Sequence, residues 1–234
     1  MKNIKFIAAL SMTASLVACG GGGDDETTTS SLSFNLESAY KTLVATGEPL
    51  QQFNVSLASC TGTATYSSSP ANTSTTFEGT AAVSSTSTLS VSISPSSNCN
   101  ATNVSETEID YYSTTYLPLG IVVPGSSYMV FNGGFSIPFS VKVGDQGVLG
   151  SLNSYTDSTK STANGSAQVS YEVTSDTSST AMVTVITKAY DASNVLQSTQ
   201  RTKYKIDAAS RLTIQSITIR DTATGLDMVL TPQP

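Results

Sequence analysis

Three stretches near the C-terminus, Asp191-Ala-Ser-Asn-Val-Leu196, Asp207-Ala-Ala-Ser-Arg-Leu212 and Asp221-Thr-Ala-Thr-Gly-Leu226, each set an aspartate five residues ahead of a leucine, at steps of sixteen and fourteen residues. An aspartate at a turn start accepts a hydrogen bond from the backbone two residues on, and Ser, Asn and Gly suit the turn centre. The leucine then begins a returning strand. One strand plus one turn fits each step, so 182–190, 195–206, 212–220 and 226–231 read as an antiparallel meander. Strands at 137–143, 148–155 and 167–174 extend it. Seven such strands predict a curved sheet or a partly closed barrel.

Upstream the chain keeps the same two-residue rhythm with one exception. Leu36, Tyr40, Leu43 and Val44 recur at helical spacing, with Asn35 or Ser33 to cap the start and Gly47-Glu48-Pro49 to stop it. Phe53, Val55 and Leu57 alternate along a strand ending near Cys60, and Leu89, Val91 and Ile93 do so before Pro95. Further strands are expected at 77–83 and 109–116. Only 12% of the residues are charged, and Ser and Thr fill the polar positions, which suits pleated surfaces better than helices. The expected class is mainly β: antiparallel lobes with at most one short N-terminal helix.

Charge divides the chain. From Asp24 to Ser140 Lys41 is the sole basic residue, whereas acids and bases balance from Val141 onward. With the Pro/Gly-rich stretch 118–138 between, this suggests a β-rich lobe over 32–136 and a meander lobe over 137–234. The net charge of −6 argues against a nucleic-acid partner, because such binding depends on Lys and Arg neutralising phosphates.

The N-terminus has the anatomy of an export signal. Lys2 and Lys5 precede a mostly apolar run from Ile4 to Leu16, and Ala18 is the small residue before a cut. That run is shorter than the roughly 20 residues a spanning helix needs. Leu16-Val17-Ala18-Cys19 resembles the lipobox of bacterial lipoproteins. The resemblance implies a signal peptide over 1–18 cut before Cys19, a diacylglycerol on its thiol and an acylated new amino terminus. Two or three acyl chains give a stable anchor, each buried methylene contributing about 0.8 kcal/mol. In that family an aspartate directly after the cysteine retains the protein in the inner membrane; Gly20 stands here, so the outer membrane of the cell envelope is expected. Residues 19–31 then form the lipidated cysteine and a Gly/Asp/Thr tether, too poor in apolar groups to order and reaching roughly 20 Å.

With Cys19 lipidated, Cys60 and Cys99 remain as an even pair in an oxidising compartment and are expected to be bonded. Closing a loop of about 40 residues stabilises by roughly 4 kcal/mol in the chain-entropy model.

The chain contains no histidine. That excludes Ser-His-Asp and Cys-His nucleophilic systems and histidine-ligated zinc or haem; no GxSxG, phosphate-loop or HExxH pattern occurs. No catalytic residue and no cofactor is assigned, and a carboxylate pair or serine-lysine dyad is what an enzyme would have left. Glu106, Glu108 and Asp110 share one face of a strand. They are either a solvated face or, if carbonyls assist, a weak calcium candidate. Tyr111, Tyr112 and Tyr116 form the densest aromatic group, a candidate ligand surface or part of the core. Arg201, Lys203 and Lys205 alternate as on a half-exposed strand. The favoured function is a non-enzymatic, membrane-anchored envelope lipoprotein whose β-rich body binds a protein, glycan or apolar ligand. A carboxylate-dependent glycan hydrolase and an apolar-ligand carrier are the alternatives.

Overall fold

The computed structural model describes residues 31–96 and 99–234; the signal peptide, the lipobox with Cys19 and nearly all of the expected tether lie outside the described residues. Among the described residues one helix, α1 (Leu36–Thr46), is followed by thirteen strands. These are β1 (Glu48–Leu57), β2 (Cys60–Ser68), β3 (Thr73–Phe77), β4 (Thr80–Ile93), β5 (Thr102–Ser113), β6 (Pro118–Val123), β7 (Ser127–Asn132), β8 (Gln146–Tyr155), β9 (Ala163–Ser175), β10 (Thr180–Tyr190), β11 (Leu196–Asp207), β12 (Leu212–Asp221) and β13 (Asp227–Pro232).

All pairings are antiparallel, and twelve strands close into a barrel. Closure depends on two contacts distant in sequence: β1 pairs with β13 through Phe53–Pro232 to Leu57–Met228, and β2 pairs with β4 through Gly62–Ile93 to Ser68–Ser87. The length of β4 makes the second possible. Its later residues bond β2, while Thr80 to Ser84 bond β3, which therefore sits beside the ring as an extra strand. The stretches expected as two lobes, 32–136 and 137–234, are joined in this one sheet through β7–β8 and β1–β13. The barrel expected of the second stretch alone takes strands from both.

The turn rule holds in atomic detail. Asp191 Oδ1 accepts from the N–H groups of Ser193 and Val195, Asp207 Oδ1 from Ala209 and Arg211, and Asp221 Oδ1 from Thr224. Asn194, Ser210 and Gly225 take the left-handed conformation that finishes each turn. The third turn is one residue longer: Asp221 N–H bonds the carbonyl of Leu226, where Asp191 N–H bonds that of Val195. The device recurs with Ser113 as the acceptor and Tyr116 at φ 64°, and with Asp157 and Lys160 at φ 57°. Thus 109–116 is not one strand, since β5 ends at Ser113. Likewise 77–83 is cut by the Glu78-Gly79 turn, both at positive φ.

Segment 137–143 is not a strand either. Pro138 lacks an N–H for a ladder, and the segment makes a single bridge, Phe34 to Val141. Phe135, Ile137 and Val141 instead turn into the core beside α1. The helix is bounded as its sequence predicts. Asn35 Oδ1 accepts from Ser38 N–H at 2.8 Å, and Gly47, at φ 66°, ends it with its N–H on the Leu43 carbonyl. A Cβ at Gly47 would lie 2.4 Å from the Pro70 nitrogen, so the chain there is packed as well as turned.

Eight strands make a barrel that side chains alone can fill, and twelve make a wider one. Here α1 supplies the missing volume. Leu36, Ala39, Tyr40, Leu43 and Val44 are buried in the same core as inward residues from β1, β2 and β4 through β13, and Tyr40 senses both Asp110 on β5 and Tyr204 on β11, six strands apart around the ring. The remaining face of α1 is exposed, with Lys41 and Glu37 paired at 2.7 Å. The helix is therefore an amphipathic plug. Strand residues alternate apolar inward and polar outward, the reverse of barrels that face lipid.

Candidate functional site

Two regions stand out, a buried polar cluster inside the barrel and a pair of clefts on its wall. The inner region begins with the parity of β5. Successive strand side chains point to opposite faces, so Glu106, Glu108, Asp110 and Tyr112 share one face, as expected of the three acids. That face is the interior: Glu108 and Asp110 are each 2% exposed. The solvated face is thereby corrected, because the pairing of Ser87 with Glu108 and Ser85 with Asp110 gives these residues the same parity as core-facing Val91 and Ile93.

Ser87 Oγ lies 2.6 Å from Asp110 Oδ2 and 3.3 Å from Glu108 Oε1, so one hydroxyl joins the two carboxyl groups. Asp110 Oδ1 and the Tyr40 hydroxyl are buried without a hydrogen-bond partner among the described residues. Burial pushes the Asp110 carboxyl up to about 6, against the opposing hydrogen bond from Ser87. Glu106, nearer the barrel end, is also raised to about 6 by burial. Tyr40 and Tyr112 are held well above the ordinary phenol range, first by burial and then by the charge of Asp110. Among the described residues no three His, Cys, Asp or Glu side chains converge as metal ligands. Glu106, Glu108 and Asp110 share a face without forming a calcium cage. Nor can Glu108 and Asp110 act on a glycan, since substrate cannot reach a pair sealed beneath the core. Glu48, also 3% exposed, accepts from Gln51 Nε2 at 3.0 Å. Its burial had no signal in the sequence beyond its place after the helix stop.

The three tyrosines are not brought together. Tyr112 points inward and is 3% exposed, Tyr111 points outward, and Tyr116 occupies the turn after β5. Adjacent strand residues cannot share a surface, which is the physical reason. Tyr111 instead stacks on Phe77 with centroids 4.6 Å apart, and Phe77 stacks on Tyr128 at 5.4 Å. A Cβ on Gly120 would strike the Phe77 ring at 2.2 Å, so the glycine makes the seat for it. Glu78 accepts from the Tyr128 hydroxyl at 2.6 Å and pairs with Lys160, and those bonds, the Lys160 one foremost, lower its carboxyl. This cluster straps the β3–β4 hairpin to the outer wall.

Cys60 and Cys99 are bonded, with Cα atoms 5.7 Å apart, tying the start of β2 to the segment before β5. Arg201 pairs with Glu172 and Lys205 with Asp176 on the exposed side of β9–β11. Val173, Val183, Ile206 and Leu230, inward side chains of the second half, are 0–3% exposed in the packed core.

Two clefts lie on the wall of β13, β1, β2, β4 and β5. One is lined by Thr63, Ala64, Thr65, Ser90, Val91, Ser92, Asn103, Val104 and Ser105. The other is lined by Asn54, Val55, Ser56, Thr61, Gly62, Thr63, Ser94, Val229 and Thr231. Neither has a carboxylate, an amine or a guanidinium. Comparison with protein-family models, with curated proteins and with solved structures finds no match.

Proposed function

We propose that the chain is a lipid-anchored lipoprotein of the bacterial cell envelope, held by Cys19 and a tether over 20–31, whose barrel is a rigid, non-enzymatic binding module that meets its partner with its outer wall. One observation carries the second half of this reading. The interior is occupied by the barrel's own side chains and by α1, whereas the clefts open on the wall. A pre-packed barrel presents the wall without an ordering cost, since strands hold outward groups at fixed spacing. The lipobox supports the anchor, and the Gly20 that follows it supports the outer membrane.

Metabolic labelling with an alkyne fatty acid tests the anchor. The expected result is a labelled mature chain in the membrane fraction, with both label and membrane association lost in Cys19→Ala. A wild-type mature chain with an unmodified Cys19 thiol refutes it.

A further inference from the structure

The registers that close the barrel also arrange its wall. Thr231 pairs with Asn54, Asn54 with Thr63, Thr63 with Ser92, and Ser92 with Asn103. These five outward groups form one continuous row across β13, β1, β2, β4 and β5. A second row runs through Thr65, Ser90 and Ser105, and a third through Val229, Ser56 and Thr61. Neighbours in a row are about 4.8 Å apart and rows are about 7 Å apart. Between the first two rows lie Ala64 and Val91, which are buried, and Val104, which is 37% exposed, so the trough floor is backbone with one apolar side chain at its end. The two clefts are these troughs, and the row through Thr63 is the ridge between them.

We infer that this ridged wall is a binding site for a neutral glycan chain, lying in the troughs and hydrogen-bonded by the flanking hydroxyl and amide groups. The inference rests on the reading of the wall as the contact surface.

Charge selects the ligand class. No lining residue of either cleft is charged, although the chain carries −6 overall. The wall across the ring is built differently: β9 and β11 present Glu172, Arg201 and Lys205 in ion pairs. A phosphate, sulfate or carboxylate ligand would find no cation in the troughs, and a basic ligand would find no anion. Each hydroxyl and carboxamide both donates and accepts, which matches a ligand bearing many hydroxyls in both roles. Ser90 and Ser105 bond each other at 2.8 Å, fixing their rotors while leaving lone pairs outward. Asn54, Thr63, Ser92, Asn103 and Thr231 are exposed.

Affinity electrophoresis of the full chain through gels containing dextran, laminarin or mannan, with dextran sulfate as the anionic probe, tests the site. The expected result is retardation by at least one neutral polysaccharide and none by dextran sulfate. Thr63→Glu, on the shared ridge, should weaken retention at least tenfold, as should Ser90→Ala with Ser105→Ala. Thr174→Glu, exposed on β9 across the ring, should not. Unchanged melting temperatures establish that the variants fold. No retardation by any neutral probe overturns the glycan assignment. Retardation by dextran sulfate alone that Thr63→Glu abolishes overturns it too, but leaves the wall as the contact surface. Retention that survives Thr63→Glu and the double alanine variant overturns both readings.

Discussion

Asp110 gives the structure an acid-side stability that most carboxylates would remove. In an unfolded chain it titrates near 3.8; inside the barrel burial moves it to about 6. A raised acid favours the native state while it is protonated in both states, and that advantage is lost as pH rises through the folded value. Between pH 5 and pH 7.5 the native state releases its proton whereas the unfolded state has already done so. The difference is about one pH unit of proton uptake, or about 1.4 kcal/mol, a fall of roughly 3–6 °C in melting temperature for a domain of this size. The carboxyls lowered by turn hydrogen bonds, Asp157, Asp207 and Asp221, are ionised throughout this window and do not oppose the trend. Asp110→Asn retains an acceptor for Ser87 and cannot ionise. Melts followed by circular dichroism at pH 5, 6 and 7.5 should show the wild type losing stability with rising pH and the variant losing less, the remainder coming from Glu106, which burial also raises to about 6. Glu108 shares Ser87 with Asp110, so part of the slope belongs to the pair. Parallel slopes in the two proteins, or a wild type most stable at pH 7.5, would refute the assignment of a buried acid.

Tyr40 offers a second test, of the plug itself. Its ring is fully buried while its hydroxyl has no partner among the described residues, so Tyr40→Phe should change stability by less than about 1 kcal/mol or raise it, whereas Tyr40→Ala should cost about 3–5 kcal/mol in urea unfolding. Replacing Cys60 and Cys99 by serine should remove up to roughly 4 kcal/mol, and reductant should lower the wild-type melting temperature towards that of the variant.

Local chemistry was legible in the sequence. The aspartate turns, the Asn35 cap, the Gly47 stop and the shared face of Glu106, Glu108 and Asp110 each depend on atoms within a few residues, through short hydrogen bonds or the two-residue pleat. The turn rule was written more widely than the Asp-to-Leu pattern reveals, because Ser113 supplies an oxygen of the same reach and Tyr116 and Lys160 accept positive φ without glycine.

The tertiary structure alone decided which face of a strand is the inside. Parity tells that Glu108 and Asp110 point together, but their side is set by the β4–β5 register and by closure, and a strand whose two faces are Thr-Ile-Tyr and Glu-Asp-Tyr has no apolar contrast to settle it. Closure itself joins Phe53 to Pro232 and Gly62 to Ile93. Such pairings cost loop entropy that only the completed core offsets, and no window of sequence records a sum over the whole ring. The hydroxyl row through Thr231, Asn54, Thr63, Ser92 and Asn103 is a product of that closure: five separate residues become one surface because backbone hydrogen bonds fix five strands in register.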